Sequence, residues 1–191
     1  MSSKRHSILP AIDRSGPKPP VKLASSLTIS DNAILQGIHP ILLDTQTVIH
    51  PRARVESTVG SVAVGRCCII QERAHLGARP ADSRDGGVVL GDYVVIEVGC
   101  IVEAGETEIG DGTTVHVGSR IGSGAKIGKH CNISHMSTIP PGEVLPDYTT
   151  VYSNGRRRID RSGIEELRKV AMLKETAVLS KLIASNPDKF V

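Results

Sequence analysis

IGDGTT VHVGSR IGSGAK IGKHCN ISHMST IPPGEV LPDYTT V is the stretch from residue 109 to residue 151, written in blocks of six. The first residue of each block is aliphatic: Ile109, Val115, Ile121, Ile127, Ile133, Ile139, Leu145 and Val151. Four positions later most blocks carry a small residue, namely Thr113, Ser119, Ala125, Cys131, Ser137 and Thr149, with Glu143 as the exception. A period of six matches neither an amphipathic helix nor the two-residue alternation of a strand. It predicts a parallel β-solenoid, in which each block forms one short strand and one corner.

The pattern also predicts where side chains point. We expect the aliphatic residue of each block to face inward and the small residue to fill the space that remains. Glycine follows the aliphatic residue at Gly110, Gly122 and Gly128, and we expect it there to adopt backbone angles that a Cβ atom forbids. The repeat resembles that of the left-handed parallel β-helix family, whose coils are triangular and contain three blocks each. That resemblance implies the left hand of winding and, with the blocks counted along the chain, about seven coils.

The rest of the chain divides around the repeat. Residues 1–20 are basic and proline-rich and are predicted to be a flexible N-terminal extension. Residues 21–155 are predicted to form the β-helix, interrupted at residues 77–87 by an exposed polar loop. Residues 156–191 are predicted to contain a basic linker, Arg156 to Arg158, and a C-terminal α-helix from about Gly163 to Ser185. A capping box formed by Ser162 and Glu165 is expected to begin this helix. Its apolar face is expected to lie on the flank of the solenoid, with docking to a partner as the alternative.

Composition excludes several classes of function. The chain has four aromatic residues, no tryptophan and a formal net charge of +3, so it lacks the stacking platforms and strong positive charge of nucleic-acid binding proteins. Its four cysteines form no C-x-x-C pair, and Cys68, Cys100 and Cys131 occupy small-residue positions of the repeat. The first twenty residues contain no apolar signal segment, and no apolar run approaches the length of a membrane span. We therefore expect a reduced, intracellular protein with no membrane insertion and no nucleic-acid partner.

Two enzymatic alternatives involve the histidines. His130 and His135 have the five-residue separation seen in the γ-class carbonic anhydrases, and the segment around His75 resembles the region of that family's upstream zinc ligand. Lys129 separates His130 from the preceding glycine, however, and the Arg-Gly-Asp stretch of that family has no counterpart. A hexapeptide acyltransferase would need a general-base histidine beside a groove, for which His75, His116 or His135 could serve. We expect no metal, cofactor or catalytic residue, with His75, His130 and His135 as the alternative metal ligands.

A second resemblance favours a non-catalytic role. Three segments carry it: residues 47–55 (TVIHPRARV), 69–74 (IIQERA) and 94–100 (VVIEVGC). They resemble the dynactin subunit six family, the smaller of two β-helix subunits of the dynactin pointed-end complex, over roughly residues 21–183. The resemblance implies a cytoplasmic, cytoskeleton-associated scaffold that forms a hetero-oligomer and is not an enzyme. The implied partners are a second β-helix subunit, an actin-related protein and a larger zinc-containing subunit, and the implied process is dynein-dependent engagement of endosomal cargo.

Overall fold

The computed structural model describes residues 16–81 and 84–190, and these residues form a parallel β-solenoid. Coil 1 consists of β1 (Val21–Leu23), β2 (Thr28–Ile29) and β3 (Ile34–Gly37), and coil 2 of β4 (Ile41–Leu43), β5 (Val48–Ile49) and β6 (Arg54–Ser57). Coil 3 consists of β7 (Val62–Val64), β8 (Ile69–Ile70) and β9 (His75–Ala78), and coil 4 of β10 (Val88–Leu90), β11 (Val95–Ile96) and β12 (Ile101–Glu103). Coil 5 consists of β13 (Thr107–Ile109), β14 (Thr114–Val115) and β15 (Arg120–Ile121), and coil 6 of β16 (Lys126–Ile127), β17 (Asn132–Ile133) and β18 (Thr138–Ile139). Two further strands follow, β19 (Val144–Leu145) and β20 (Thr149–Val151).

Equivalent strands of successive coils pair in parallel, so the coils stack into three sheets. Sheet 1 contains β1, β4, β7, β10, β13, β16 and β19; sheet 2 contains β2, β5, β8, β11, β14, β17 and β20; sheet 3 contains β3, β6, β9, β12, β15 and β18. The predicted solenoid is confirmed, with six complete coils and two strands of a seventh. The left hand of winding stays a prediction from the resemblance.

The interior of the solenoid follows the six-residue pattern. All eight aliphatic residues of the repeat between Ile109 and Val151 are at most 3% exposed. The small residues also face inward, and the hydroxyl groups of Thr113, Ser119 and Thr149 donate hydrogen bonds, whereas Ser137 Oγ is buried without a partner among the described residues. Thr113 Oγ1 donates to the carbonyl oxygen of Gly128 at 2.9 Å, and Ser119 Oγ donates to that of Ser134 at 2.8 Å. Each of these two hydroxyls therefore binds the next coil, which removes the cost of burying an unpaired polar group.

The glycines after the aliphatic residues have a different role from the predicted one. Gly110, Gly122 and Gly128 are not among the residues with positive φ, so the expectation of forbidden backbone angles is wrong. A Cβ atom on Gly110 would instead lie 2.7 Å from the carbonyl carbon of Gly128 in the next coil. Glycine is required there because the two backbones approach closely. The left-handed conformation occurs two residues later, for example at Gly112 with φ of 65° and at Met136 with φ of 55°.

The C-terminal segment is built differently from the predicted linker. Arg156 to Arg158 do not form a free linker, because β21 (Arg157–Ile159) pairs antiparallel with β20 and covers that edge of sheet 2. The helix α1 (Glu165–Leu182) follows. The capping box is not formed, since Ile164 occupies the N-cap position without a side-chain hydrogen bond.

Helix α1 packs on sheet 2 and returns toward the start of the solenoid. Met172 and Thr176 are its buried residues. Beyond the helix, Ser185 pairs with Ser30 in an antiparallel bridge, and its Oγ accepts a hydrogen bond of 2.9 Å from the amide of Ile29. The end of the described chain therefore covers the outer edge of β2. Within the described ranges, no helix has the length and hydropathy needed to cross a bilayer.

Two predicted surface segments are described in part. Residues 1–15 of the extension lie outside the described residues. Near its end, the carbonyl oxygen of Pro17 accepts a hydrogen bond from the amide of Gly37 in coil 1, and that of Pro20 accepts one from the amide of Ile41 in coil 2. The loop predicted at residues 77–87 is shorter in the structure, because β9 continues to Ala78. Residues 82–83 lie outside the described residues. The carbonyl oxygens of Gly86 and Gly87 accept hydrogen bonds from the next coil.

Candidate functional site

The three histidines weighed as metal ligands occupy separate surroundings within one chain. His75 lies on β9, where its Nε2 is 3.0 Å from Oε2 of Glu56 on the preceding coil. Burial lowers the pKa of His75, and the hydrogen bond and charge of Glu56 oppose that effect. His130 stacks on Tyr148, with ring centroids 5.2 Å apart. His135 stacks on the ring of a different residue, His116.

A different set of side chains converges on the corner that follows sheet 2. Glu97, His116 and His135 come from coils 4, 5 and 6, and one ligand atom of each lies within 4.8 Å of the others. We call these three residues the corner cluster. His116 Nδ1 is 3.0 Å from Oε1 of Glu97, and the rings of His116 and His135 stack with centroids 4.9 Å apart and planes 19° apart. Among the described residues, this is the group of three with metal-binding geometry.

The solenoid fixes the corner cluster through its register. Ile96 pairs with Val115, and Val115 pairs with Ile133, so the residues that follow these strands are stacked. Glu97 follows Ile96 directly and His116 follows Val115 directly, whereas His135 is the second residue after Ile133. His116 and His135 are candidate functional residues from the sequence, but the sequence pattern alone does not place them beside Glu97. A signal is nevertheless present, because positions 97, 116 and 135 are spaced by 19 residues, one more than the eighteen of three blocks.

A groove between helix α1 and sheet 2 runs beside the corner cluster. Its volume is about 300 Å³, and Glu97 and His116 line one side of it. The helix lines the other side with the charged residues Glu165, Arg168, Lys169 and Glu175. Lys169 Nζ donates to Glu166 at 2.8 Å and Arg168 donates to Asp160 at 3.4 Å, so both cations have carboxylate partners outside the groove.

The outer side of helix α1 carries several exposed apolar residues. We call the following set the outward stripe, although the exposed Lys174 interrupts it between Val170 and Val178: Ile164 (the N-cap residue), Leu167, Val170, Val178 and Leu182. Leu167 is 70% exposed and Leu182 is 74% exposed. Helix α1 packs on the solenoid through Met172 and Thr176, whereas the apolar residues predicted to make that contact are largely exposed. The expectation that the apolar face lies on the flank of the solenoid is therefore wrong.

Three of the cysteines, Cys68, Cys100 and Cys131, lie in the solenoid interior. All four are free and buried. Burial raises the pKa of the Cys68 thiol to about 12, and it also raises the pKa values of Cys100 and Cys131. A nucleophilic cysteine requires a lowered pKa and solvent access, so these thiols act as small apolar filling groups.

Comparison with known proteins agrees with the repeat. The family described as "Bacterial transferase hexapeptide (six repeats)" matches residues 106–141. Among solved structures, one from Bacillus cereus described as an acetyltransferase has a TM-score of 0.72 at 20% identity, covering 88% of this chain and 93% of the other. A hexapeptide transferase family protein from Anaplasma phagocytophilum has a TM-score of 0.65 at 16% identity, covering 86% and 97%. At these identities the likeness concerns the fold alone.

Sequence relatives give a second finding. Dynactin subunit 6 of Danio rerio is 25% identical over 153 residues, which is 76% of each chain. The protein of the same name from Nematostella vectensis is 23% identical over 144 residues, covering 72% of this chain and 77% of the other. Dynactin subunit 5 of Dictyostelium discoideum is 33% identical over a shorter region of 82 residues, 40% of each chain. The resemblance to dynactin subunit six that the sequence segments predict is confirmed.

Proposed function

We propose that this chain is a non-catalytic scaffold subunit of a dynactin complex. The observation that carries the proposal is its similarity to dynactin subunit 6 over three quarters of both chains, with a shorter match to dynactin subunit 5. On this proposal the chain pairs with a second β-helix subunit at the pointed end. It lies there beside an actin-related protein and a zinc-containing subunit, and it supports dynein-dependent engagement of endosomal cargo in the cytoplasm.

The outward stripe of helix α1 supports a role in assembly. Leu167, Val178 and Leu182 are each more than half exposed, and burying a leucine side chain contributes about 2 kcal/mol. Several large apolar side chains exposed on one helix are typical of an interaction surface. The stripe also lies on a rigid element, because the opposite face of the helix is packed on sheet 2 by Met172 and Thr176.

The surroundings of the cysteines support a non-catalytic role, whereas the histidine pairs favour neither role. His75 pairs with Glu56 and His116 pairs with Glu97, and a carboxylate partner is also a feature of catalytic histidines. The buried thiols have raised pKa values and are poor nucleophiles. The proposal therefore rests on surfaces rather than on reacting groups.

The test is recovery of partners from extract of the source organism. The tagged chain is expected to bring down dynactin subunits, including a second β-helix protein, identified by mass spectrometry. Replacing Leu167 and Leu182 by aspartate is expected to reduce that recovery at least about tenfold, because two charges would have to be buried at the interface. Val144→Asp is the matched control: Val144 is 68% exposed on sheet 1, away from the stripe, and its replacement is expected to leave recovery unchanged.

Two results would contradict the proposal. One is a chain that self-associates in solution and recovers no dynactin subunit. The other is an acyl-transfer or carbonate-hydration activity that disappears when His75 or His116 is replaced. If the double aspartate variant recovers dynactin subunits as well as the unmodified chain does, membership in the complex is supported but the outward stripe is excluded as the interface.

A further inference from the structure

We propose that the corner cluster binds a transition-metal dication of the zinc type. Two imidazoles and one carboxylate are the borderline ligands that Zn²⁺, Co²⁺ and Ni²⁺ accept, and three protein ligands leave a position open for water or for a partner's side chain. The inference depends on the geometry of Glu97, His116 and His135 and is independent of the proposed scaffold function.

The distances suit one ion. Ligand atoms about 2.1 Å from a tetrahedral zinc ion lie roughly 3.4 Å from each other. His116 Nδ1 and Glu97 Oε1 are already 3.0 Å apart, so an ion can replace the proton that they share with little movement. The three ligand atoms lie within 4.8 Å of one another, so a rotation of the His135 side chain that moves its ligand atom by at most about 1.4 Å completes the set.

The supports of the cluster are unequal. The other carboxylate oxygen of Glu97 accepts a hydrogen bond of 3.0 Å from the amide of Val117, which fixes the carboxylate on the corner. Glu97 and His116 are mostly buried, with 21% and 24% of their side chains exposed. His135 is exposed, and its stacking on His116 holds it near the other two residues. Two ligands are therefore preorganised by the stack of coils, and the third can close on the ion from solvent.

The neighbouring charges permit a cation. Helix α1 faces the groove with Glu165, Arg168, Lys169 and Glu175. The two cations are paired with Asp160 and Glu166, as described above, so they do not place an uncompensated positive charge beside the cluster. The two glutamates add negative charge on the far side of the groove.

The test is metal titration of the full chain after removal of bound metal with a chelator and cleavage of any purification tag. Isothermal titration with zinc chloride at pH 7.5 is expected to give one ion per chain. Co²⁺ is expected to give the visible absorption bands of a tetrahedral site. Because His135 is exposed, His135→Ala should keep the fold, and it is expected to weaken zinc binding at least about 30-fold. Glu97→Gln should weaken it about 10- to 100-fold.

His130→Asn is the matched control. It removes a histidine from a neighbouring corner that does not belong to the cluster, and asparagine tolerates the left-handed backbone found there. Binding of this variant within twofold of the unmodified chain supports the site. Absence of stoichiometric zinc binding, or His135→Ala binding as tightly as the unmodified chain, overturns the proposal. Loss of binding in His130→Asn alone would also overturn it, because the ion would then lie at another corner.

Discussion

Two physical reasons for glycine at the corners can be separated by three alanine substitutions. Gly110 has an ordinary φ but faces the backbone of the next coil, where an added Cβ would lie 2.7 Å from the carbonyl carbon of Gly128. Gly99 has φ of 67° and nothing within 4 Å of the added atom. Gly118 has φ of 68°, and its added Cβ would meet only the flexible end of the Met136 side chain.

The expected losses of unfolding free energy follow from these contacts. An alanine in the left-handed region costs about 1–2 kcal/mol, and its restriction of the unfolded chain returns about 0.4–1 kcal/mol. Gly99→Ala is therefore expected to cost about 1 kcal/mol, and Gly118→Ala slightly more because Met136 must rotate. Gly110→Ala avoids the φ cost but forces two backbones apart, so we expect a loss of about 3 kcal/mol or more.

Urea unfolding followed by far-ultraviolet circular dichroism measures the three losses, with the m-value checked for constancy. The order is the decisive result. If Gly110→Ala is as mild as Gly99→Ala, then the close approach of coils does not explain glycine at that position. If Gly99→Ala is the most damaging of the three, backbone conformation rather than packing governs the corners.

Three further predictions concern the interior and its titrating groups. Ile121→Ala removes a fully buried side chain and is expected to lower the unfolding free energy by about 2–5 kcal/mol, measured by the same urea titration; a loss below 1 kcal/mol would contradict the inward placement. The thiol of Cys68, whose pKa is raised to about 12, is expected to react with a disulfide reagent at pH 8 only after unfolding, and rapid labelling of the folded chain would be inconsistent with its burial. Burial lowers the pKa values of His50 and His75 from 6.5. As the pH falls, the histidines of the unfolded chain therefore bind protons at a higher pH than those of the folded chain. The free energy of unfolding should fall as the pH drops from 6.5 through the lower pKa values of the folded state. His50→Asn should reduce this loss of Tm between pH 7 and pH 5, and an unchanged pH profile would exclude His50 as a contributor.

The sequence predicts the interior well because each inward position obeys a local rule. A coil contacts mainly its neighbours, so the aliphatic residue and the small residue of each block, such as Ile121 and Ala125, can be assigned without knowledge of distant contacts. The predicted β-helix and its interior residues follow from that rule. The number of coils is also close, with six complete and a seventh in part.

The corners are harder to predict, because different residues satisfy the same backbone conformation. Glycine marks the left-handed corner position at Gly118 and Gly124. At the equivalent position of other blocks the residue is His130, Met136 or Tyr148, so the sequence does not mark the conformation there. The sequence therefore does not show that glycine two residues earlier, as at Gly128, is required by close approach of the next coil rather than by its φ.

The corner cluster and the path of the C-terminal segment depend on contacts between coils. The contact between Glu97 and His116 can be predicted only if the exact length of each coil is known, including coils that depart from eighteen residues. The antiparallel strand β21 depends on pairing with β20, and its charged sequence gives no alternating apolar pattern. Nothing local to Ser185 indicates that it bonds to Ile29, which is 156 residues away.

The bonds between Ser185 and the first coil set an order of events during translation. The early coils leave the ribosome first and can stack on one another as they emerge. The outer edge of β2 has its own covering segment only when the last residues of the chain have been synthesised. Until then the nascent protein presents an open strand edge to which other chains can pair. The interval between synthesis of the first coil and of residue 185 is consequently the period in which this edge is open to pairing with another chain.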